Sequence, residues 1–145
     1  MDDQFDLYTQ KVMEYFTNPK NMGKIKDADS IATVGNPKCG DVMKVYLKIG
    51  QRPILKRKTK SEKLKVKSEE YIKDVKVQTL GCGAAIATSS IATEMIKGKS
   101  LEQALKLSNR EIVEKLGGLP LNKHHCSLLA EQGIKKAIEK YLKNN

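Results

Sequence analysis

A chain of 145 residues is long enough for one well-cored domain and too short for two. With 39% hydrophobic and 30% charged residues it reads as a soluble but core-poor globular protein, which excludes disorder of the whole chain. The formal charge is +10. The three cysteines, in a chain whose acidic opening Met1-Asp2-Asp3 is unlike a secretory signal, exclude a disulfide framework and point to a cytoplasmic location.

Phe5, Tyr8, Val12 and Phe16 recur at helical spacing and predict a helix over residues 5 to 16, stopped by Asn18-Pro19. From Asp41 to Gly50, Met43, Val45, Leu47 and Ile49 alternate with Lys44, Tyr46 and Lys48, the pattern of a half-buried strand. A second strand is read at Val75, Val77 and Thr79. Between the strands, residues 51 to 73 hold nine basic residues against three acidic ones, so this insertion carries +6 of the total charge. Its alternation of Leu64 and Val66 with Lys63, Lys65 and Lys67 fits either a lengthened hairpin or a loop. Tyr71 is its one aromatic residue, too few for base stacking, which weighs against a nucleic-acid partner; a solvated excursion is favoured over a docking patch for an acidic partner.

After Gly83 the pattern becomes a helix of small residues, Ala84 to Lys97, closed by Gly98. Ser100 with Gln103 and Ser108 with Glu111 have capping-box spacing and predict two short helices, the second ended by Gly117-Gly118. The last helix is expected from about Ser127 to Tyr141, with Ala130, Ile134, Ala137 and Ile138 on one face. Strands early and helices late imply an α+β fold, a small mainly antiparallel sheet with helices packed on one face. The whole of residues 1 to 145 is read as one domain.

The chemistry gathers at three element boundaries. Cys39 precedes a strand in Asn36-Pro37-Lys38-Cys39-Gly40-Asp41, Cys82 lies between strand and helix in Gly81-Cys82-Gly83, and Cys126 follows His124-His125 at the start of the final helix. A helix N-terminus favours thiolate over thiol, which is expected for Cys82 and Cys126. Any one cysteine could be a small core hydrophobe, but flanking glycines and histidines are poor core-filling choices. Glycine also lets the backbone approach a bulky inorganic group. Cys39, Cys82 and Cys126, with Asp41 and His125 nearby, are therefore read as one metal or cluster site. His124 is read as a surface residue. Ligand type leaves zinc and an iron-sulfur cluster both open. The 43- and 44-residue spacings, without a C-x-x-C knuckle, argue against an ordinary zinc finger and suit a group that is acquired and surrendered.

Asn18-Pro19-Lys20-Asn21-Met22-Gly23, Gly35 to Met43, Gly81 to Ser90, Lys97 to Leu101 and His125 to Glu131 together resemble the IscU/NifU N-terminal family of iron-sulfur cluster assembly scaffolds, in the family's order. The resemblance covers nearly all the chain outside the basic segment. It implies an IscU-like fold and a non-enzymatic scaffold on which a [2Fe-2S] cluster is built from iron and persulfide sulfur. A cysteine desulfurase would supply that sulfur, a donor such as ferredoxin the electrons, and acceptor apoproteins would take the product. The three cysteines would be the core ligands, Asp41 and His125 candidates for the remaining position, and Cys126 the first persulfide acceptor. Zinc in the cluster-free form and a homo-oligomer are compatible with it.

Leu119-Pro120-Leu121-Asn122-Lys123 departs from the family's Leu-Pro-Pro-Val-Lys chaperone stretch, so an Hsp70-type chaperone does not carry over as a partner. Two alternatives are a zinc-binding sulfur acceptor of the SufU branch and, less favoured, a basic nucleic-acid module with structural zinc. The SufU branch usually has an insertion between its second and third cysteines and lacks the histidine; this chain shows neither feature. A Cys-His hydrolase is weaker still, since adjacent His125 and Cys126 could hardly align as base and nucleophile and no third orienting group is evident.

Overall fold

A computed structural model describes residues 8–36, 40–56 and 65–144 of the chain. The first helix, α1 (Gln10–Thr17), opens where the Thr9 hydroxyl accepts a bond from the Val12 N–H at 3.1 Å and closes at Asn18, ahead of Pro19. Val12 is fully buried, with Tyr8, Tyr15 and Phe16 packed beside the core; Phe5 lies outside the described residues.

Three antiparallel strands follow in the order β1 (Ser30–Asn36), β2 (Asp41–Lys56) and β3 (Lys65–Leu80). The alternation along β2 holds: Met43, Val45 and Leu47 are buried, and Val45 pairs with Ala32 on one side and Val77 on the other. Tyr46 departs from it, being buried on the opposite face with its hydroxyl donating to the Gln78 side chain at 2.8 Å. The basic segment lengthens the hairpin as a strand pair through residues 51–56 and 65–73, while 57–64 lie outside the described residues.

Helix α2 (Gly83–Ile96) is buried almost all round, so its small polar residues need partners. The Ser90 hydroxyl accepts from Lys20 N–H at 2.6 Å, and the Thr93 hydroxyl accepts from the Asn21 side chain at 3.0 Å. Residues 20–23 are thereby held between α2 and β3. Val77 N–H donates to Asn21 C=O, and Gly23 N–H to Val77 C=O, each at 2.9 Å. The Asn18–Gly23 stretch is thus a strap along the outer edge of β3.

Helix α3 (Leu101–Leu105) opens with the full Ser100/Gln103 capping box, and α4 (Asn109–Lys115) opens on Ser108. A 3-10 turn (Leu121–Lys123) leads into α5 (His124–Lys143), which starts three residues earlier than its apolar face indicates. Ile134, Ala137 and Ile138 of α5 and Ile91, Ala92 and Ile96 of α2 cover the sheet and close one core. Gly133 lets α5 settle closely, since a Cβ there would lie 3.1 Å from side-chain carbons of Val34 and Val45. Lys136 and Lys140 of α5 donate to the C=O groups of Thr33 and Ile31, both at 2.9 Å, and so cap the outer edge of β1. Among the described residues no helix is long and apolar enough to cross a membrane.

Two tyrosines tie elements together through carboxylates. Tyr15 donates to Glu94 and Tyr141 to Glu70, and these bonds, with some burial, push both phenols from the ordinary 10.0 up to about 12. The fold therefore favours the neutral phenol. Its contribution is complete below pH 10 and is lost as pH rises through about 12. Urea midpoints measured across that interval are expected to fall, and to fall less steeply in Tyr15→Phe/Tyr141→Phe; an unchanged slope in the double variant would show that these bonds do not contribute.

Candidate metal centre

The site forms where three chain turns meet at one end of the sheet. Asp41 is the first residue of β2, entered through Gly40 at φ +72°, and its side chain is buried. Across the sheet β3 ends at Leu80, and Gly81 leads to Cys82, the N-cap of α2. Gly81 is dictated by Asp41: a Cβ at position 81 would stand 2.4 Å from Asp41 Oδ1 and 2.7 Å from its Cγ. Gly83 in turn accommodates the Phe16 ring, whose Cδ1 would lie 3.2 Å from a Cβ there.

The third contribution is the first turn of α5. Cys126 is fully buried, its sulfur 3.8 Å from Cys82 Sγ and donating to Asp41 Oδ2 at 3.5 Å. Ligand atoms of Asp41, His125 and Cys126 lie within 4.8 Å of one another. The Nε2 of His125 is buried with no hydrogen-bond partner among the described residues, which is costly for an imidazole nitrogen unless something else engages it. The backbone is pinned from behind, where the Thr88 hydroxyl of α2 donates to Cys126 C=O at 3.3 Å.

The electrostatics differ from the helix-terminus expectation. Burial pushes the Cys126 thiol well above its usual range, and the neighbouring Cys82 and Asp41 push it further. A helix end cannot offset loss of solvent plus the neighbouring sulfur and carboxylate, so as folded Cys126 is a thiol, not a thiolate. A bound cation would reverse that balance. Lys123, just ahead of α5, is raised above its ordinary pKa mainly by the Cys82 sulfur, to which its side chain also hydrogen-bonds.

The structure thus brings Asp41, His125 and Cys126 into one group of ligand atoms, with Cys82 joined to it through its contact with Cys126; Cys39 lies outside the described residues. His124 is not simply a surface residue: it is half-buried, its Nε2 3.0 Å from Leu119 C=O, and fixes the entry to α5. Sequence reasoning missed Lys123 beside Cys82, and it missed Tyr8 and Leu119, which pack over Cys126, Ala84 and Ala85. A lysine immediately before the His-His-Cys run was the available signal for the first.

Two soft sulfurs, a carboxylate and an imidazole converging from three element ends form a mixed donor set that suits zinc or iron. The model of the NifU-like N terminal domain family matches residues 7–62 and 60–145. The chain belongs to this family. It is 47% identical over 139 residues to the iron-sulfur cluster assembly scaffold protein IscU 1 of Archaeoglobus fulgidus, covering 96% of this chain and 79% of that one. It is 44% identical over 137 residues to the scaffold protein IscU of Rickettsia prowazekii, covering 92% and 91%. The crystal structure of a nitrogen-fixing NifU-like protein (N-terminal) from Brucella abortus superposes with a TM-score of 0.66 at 18% identity, covering 97% of each chain, and supports the α+β fold.

Proposed function

We propose that this protein is a scaffold on which an iron-sulfur cluster is assembled and from which it is passed to acceptor proteins in the cytoplasm. The observation that carries the reading is the meeting of the Cys82 and Cys126 sulfurs, 3.8 Å apart, with the Asp41 carboxylate and the buried His125 Nε2, which has no hydrogen-bond partner among the described residues, in a chain 40–47% identical to IscU scaffolds. Cys39, Cys82 and Cys126 are assigned as thiolate ligands of a [2Fe-2S] cluster, with Asp41 or His125 completing the coordination. Without the cluster, the Asp41, Cys82, His125 and Cys126 donors suit a tetrahedral zinc ion.

Sulfur enters as persulfide. The Cys126 thiolate attacks the outer sulfur of a cysteine desulfurase persulfide, a new S–S bond forms on Cys126, and the desulfurase cysteine departs as thiolate. Each transferred sulfur then takes up two electrons, from ferrous iron and from a donor such as ferredoxin, to become cluster sulfide. Because Cys126 is buried and protonated, transfer requires the first turn of α5 to open and the thiol to lose its proton. The cluster is cargo, built and surrendered, so the role is that of a scaffold and not of an enzyme.

Anaerobic reconstitution of the full chain with ferrous iron, desulfurase and cysteine is the test. The expected product is brown and oxygen-sensitive, with about two irons and two sulfides per site, and it restores an apo-ferredoxin. A colourless zinc protein that stimulates the desulfurase and releases no cluster would replace this reading with the sulfur-acceptor one.

A further inference from the structure

A sulfur that is to meet a donor from outside has to be reached, yet Cys126 is fully buried while Cys82 beside it is only half-buried. From behind, its turn is held by Thr88 and by the Ser127 hydroxyl, which donates to His124 C=O at 2.6 Å. In front, Tyr8 and Leu119 pack on the cluster that Cys126 forms with Ala84 and Ala85. The two covering residues come from distant parts of the chain, Tyr8 from just ahead of α1 and Leu119 from the loop that follows α4.

One hydroxyl joins those two parts. Thr9 Oγ1 accepts from Val12 N–H as the N-cap of α1 and donates to Leu116 C=O at the C-cap of α4. The Thr9 methyl faces Gly117, where the chain turns at φ +77° and a Cβ would lie 3.4 Å from Thr9 Cγ2. Two residues on, Leu119 C=O meets His124 Nε2 at 3.0 Å, which ties the loop to the start of α5. Among the described residues no other hydrogen bond joins residues 8–11 to another element. Farther along α1, buried Val12 and the Phe16 ring over Gly83 hold the helix to the core. The part that loss of one bond releases is therefore Tyr8 with the first turn of α1.

We infer that Thr9 is the latch of a two-part cover, Tyr8 and Leu119, that controls how readily the Cys126 sulfur is reached. The identity of the sulfur donor rests on the proposed function; the latch itself does not. Thr9 acts through Tyr8 and is a positioning residue. A hydroxyl suits the task because it accepts at one helix end and donates at another at the same time. A carboxylate there would only accept, and a valine would do neither. Closed, the cover also keeps the thiol from oxidants, whose attack follows exposure.

The test measures N-ethylmaleimide modification of the chelator-treated, metal-free full chain, with Cys126 and Cys82 followed separately by peptide mass. Wild-type Cys126 is expected to react more slowly than Cys82. Thr9→Val and Thr9→Asp should each speed Cys126 about tenfold, the scale of one lost hydrogen bond, and leave Cys82 near its wild-type rate; Thr9→Ser should behave as wild type. The aspartate decides between latch and cap. It still caps α1, so a capping role alone predicts no change, and an added anion disfavours thiolate, so faster modification reports access. Tyr8→Ala removes part of the cover with the latch intact and should also speed Cys126, which keeps the test available if a Thr9 variant fails to fold. Wild-type Cys126 as reactive as Cys82, a Thr9→Asp rate equal to wild type, or acceleration of both cysteines together at the rate of global unfolding would each overturn the inference. Modification is read without cargo, so its outcome is independent of whether reconstitution yields a cluster.

Discussion

Cys126→Ala is expected to abolish cargo binding while costing the fold little. The sulfur is fully buried against Ala84, Ala85, Tyr8 and Leu119, so a packing role alone would appear as lost stability with iron binding intact. The surroundings predict the opposite. Replacing a thiol by a methyl forfeits the burial of one atom and its bond to Asp41, about 1–2 kcal/mol together. It also removes a group that burial, with Cys82 and Asp41 beside it, holds protonated. On the proposed function, the change removes a ligand of the cargo outright. Loss of a mere outer-shell partner costs roughly 10–100-fold in metal affinity, so loss of the ligand should exceed that range. Iron per chain after anaerobic reconstitution and desalting should fall to background, while the urea midpoint moves only slightly. Retained iron with a large fall in midpoint would make Cys126 a core residue and sink the site. Cys82→Ala should lose cargo in the same way, at a modest stability cost, since its sulfur does not cap α2 and its partners are Cys126 and Lys123.

Legibility in the sequence followed the strength of local signals. Strand β2 could be read because four apolar residues alternate with lysines and a tyrosine, and α3 because Ser100 and Gln103 stand at capping-box spacing. Strand β1 carries no such signal: Ser30-Ile31-Ala32-Thr33-Val34-Gly35 is short and built largely of small residues, and it becomes a strand through pairing with β2 on one edge and lysine capping on the other. The apolar stripe of α5 begins three residues after the helix itself, because His124, His125 and Cys126 face the site and do not follow that stripe. Within the site, residue types and glycine flanks pointed to Asp41, Cys82, His125 and Cys126, which the fold assembles. The protonation of Cys126 could not be read that way. It depends on burial and on how close two other chain segments come, and those distances arise only from tertiary packing.

The most specific of these distances gives a second expected result, that Gly81→Ala and Asp41→Ala lengthen the life of the bound cluster by the same route. A carboxylate is a harder and weaker partner for cluster iron than a thiolate, so on the proposed function Asp41 is expected to keep the site labile. Asp41→Ala should then slow anaerobic transfer to an apo-ferredoxin, on the order of tenfold for about 1.4 kcal/mol. Gly81→Ala leaves Asp41 in the sequence but drives a methyl to 2.4 Å from its Oδ1, a separation that cannot persist. Because Asp41 is buried, its carboxylate must swing away from Cys126 or the strand end must shift, at about 1–3 kcal/mol for overpacking. The glycine variant should therefore be less stable than wild type yet hold its cluster longer. Combining the two should add almost nothing to the lifetime, since both remove one interaction, and should recover part of the stability, since alanine at 41 no longer meets the new methyl. Faster cluster loss from Asp41→Ala would reverse the assigned role. A destabilised Gly81→Ala with wild-type transfer kinetics would show that the close approach of Gly81 serves packing and does not aim the carboxylate at the cargo.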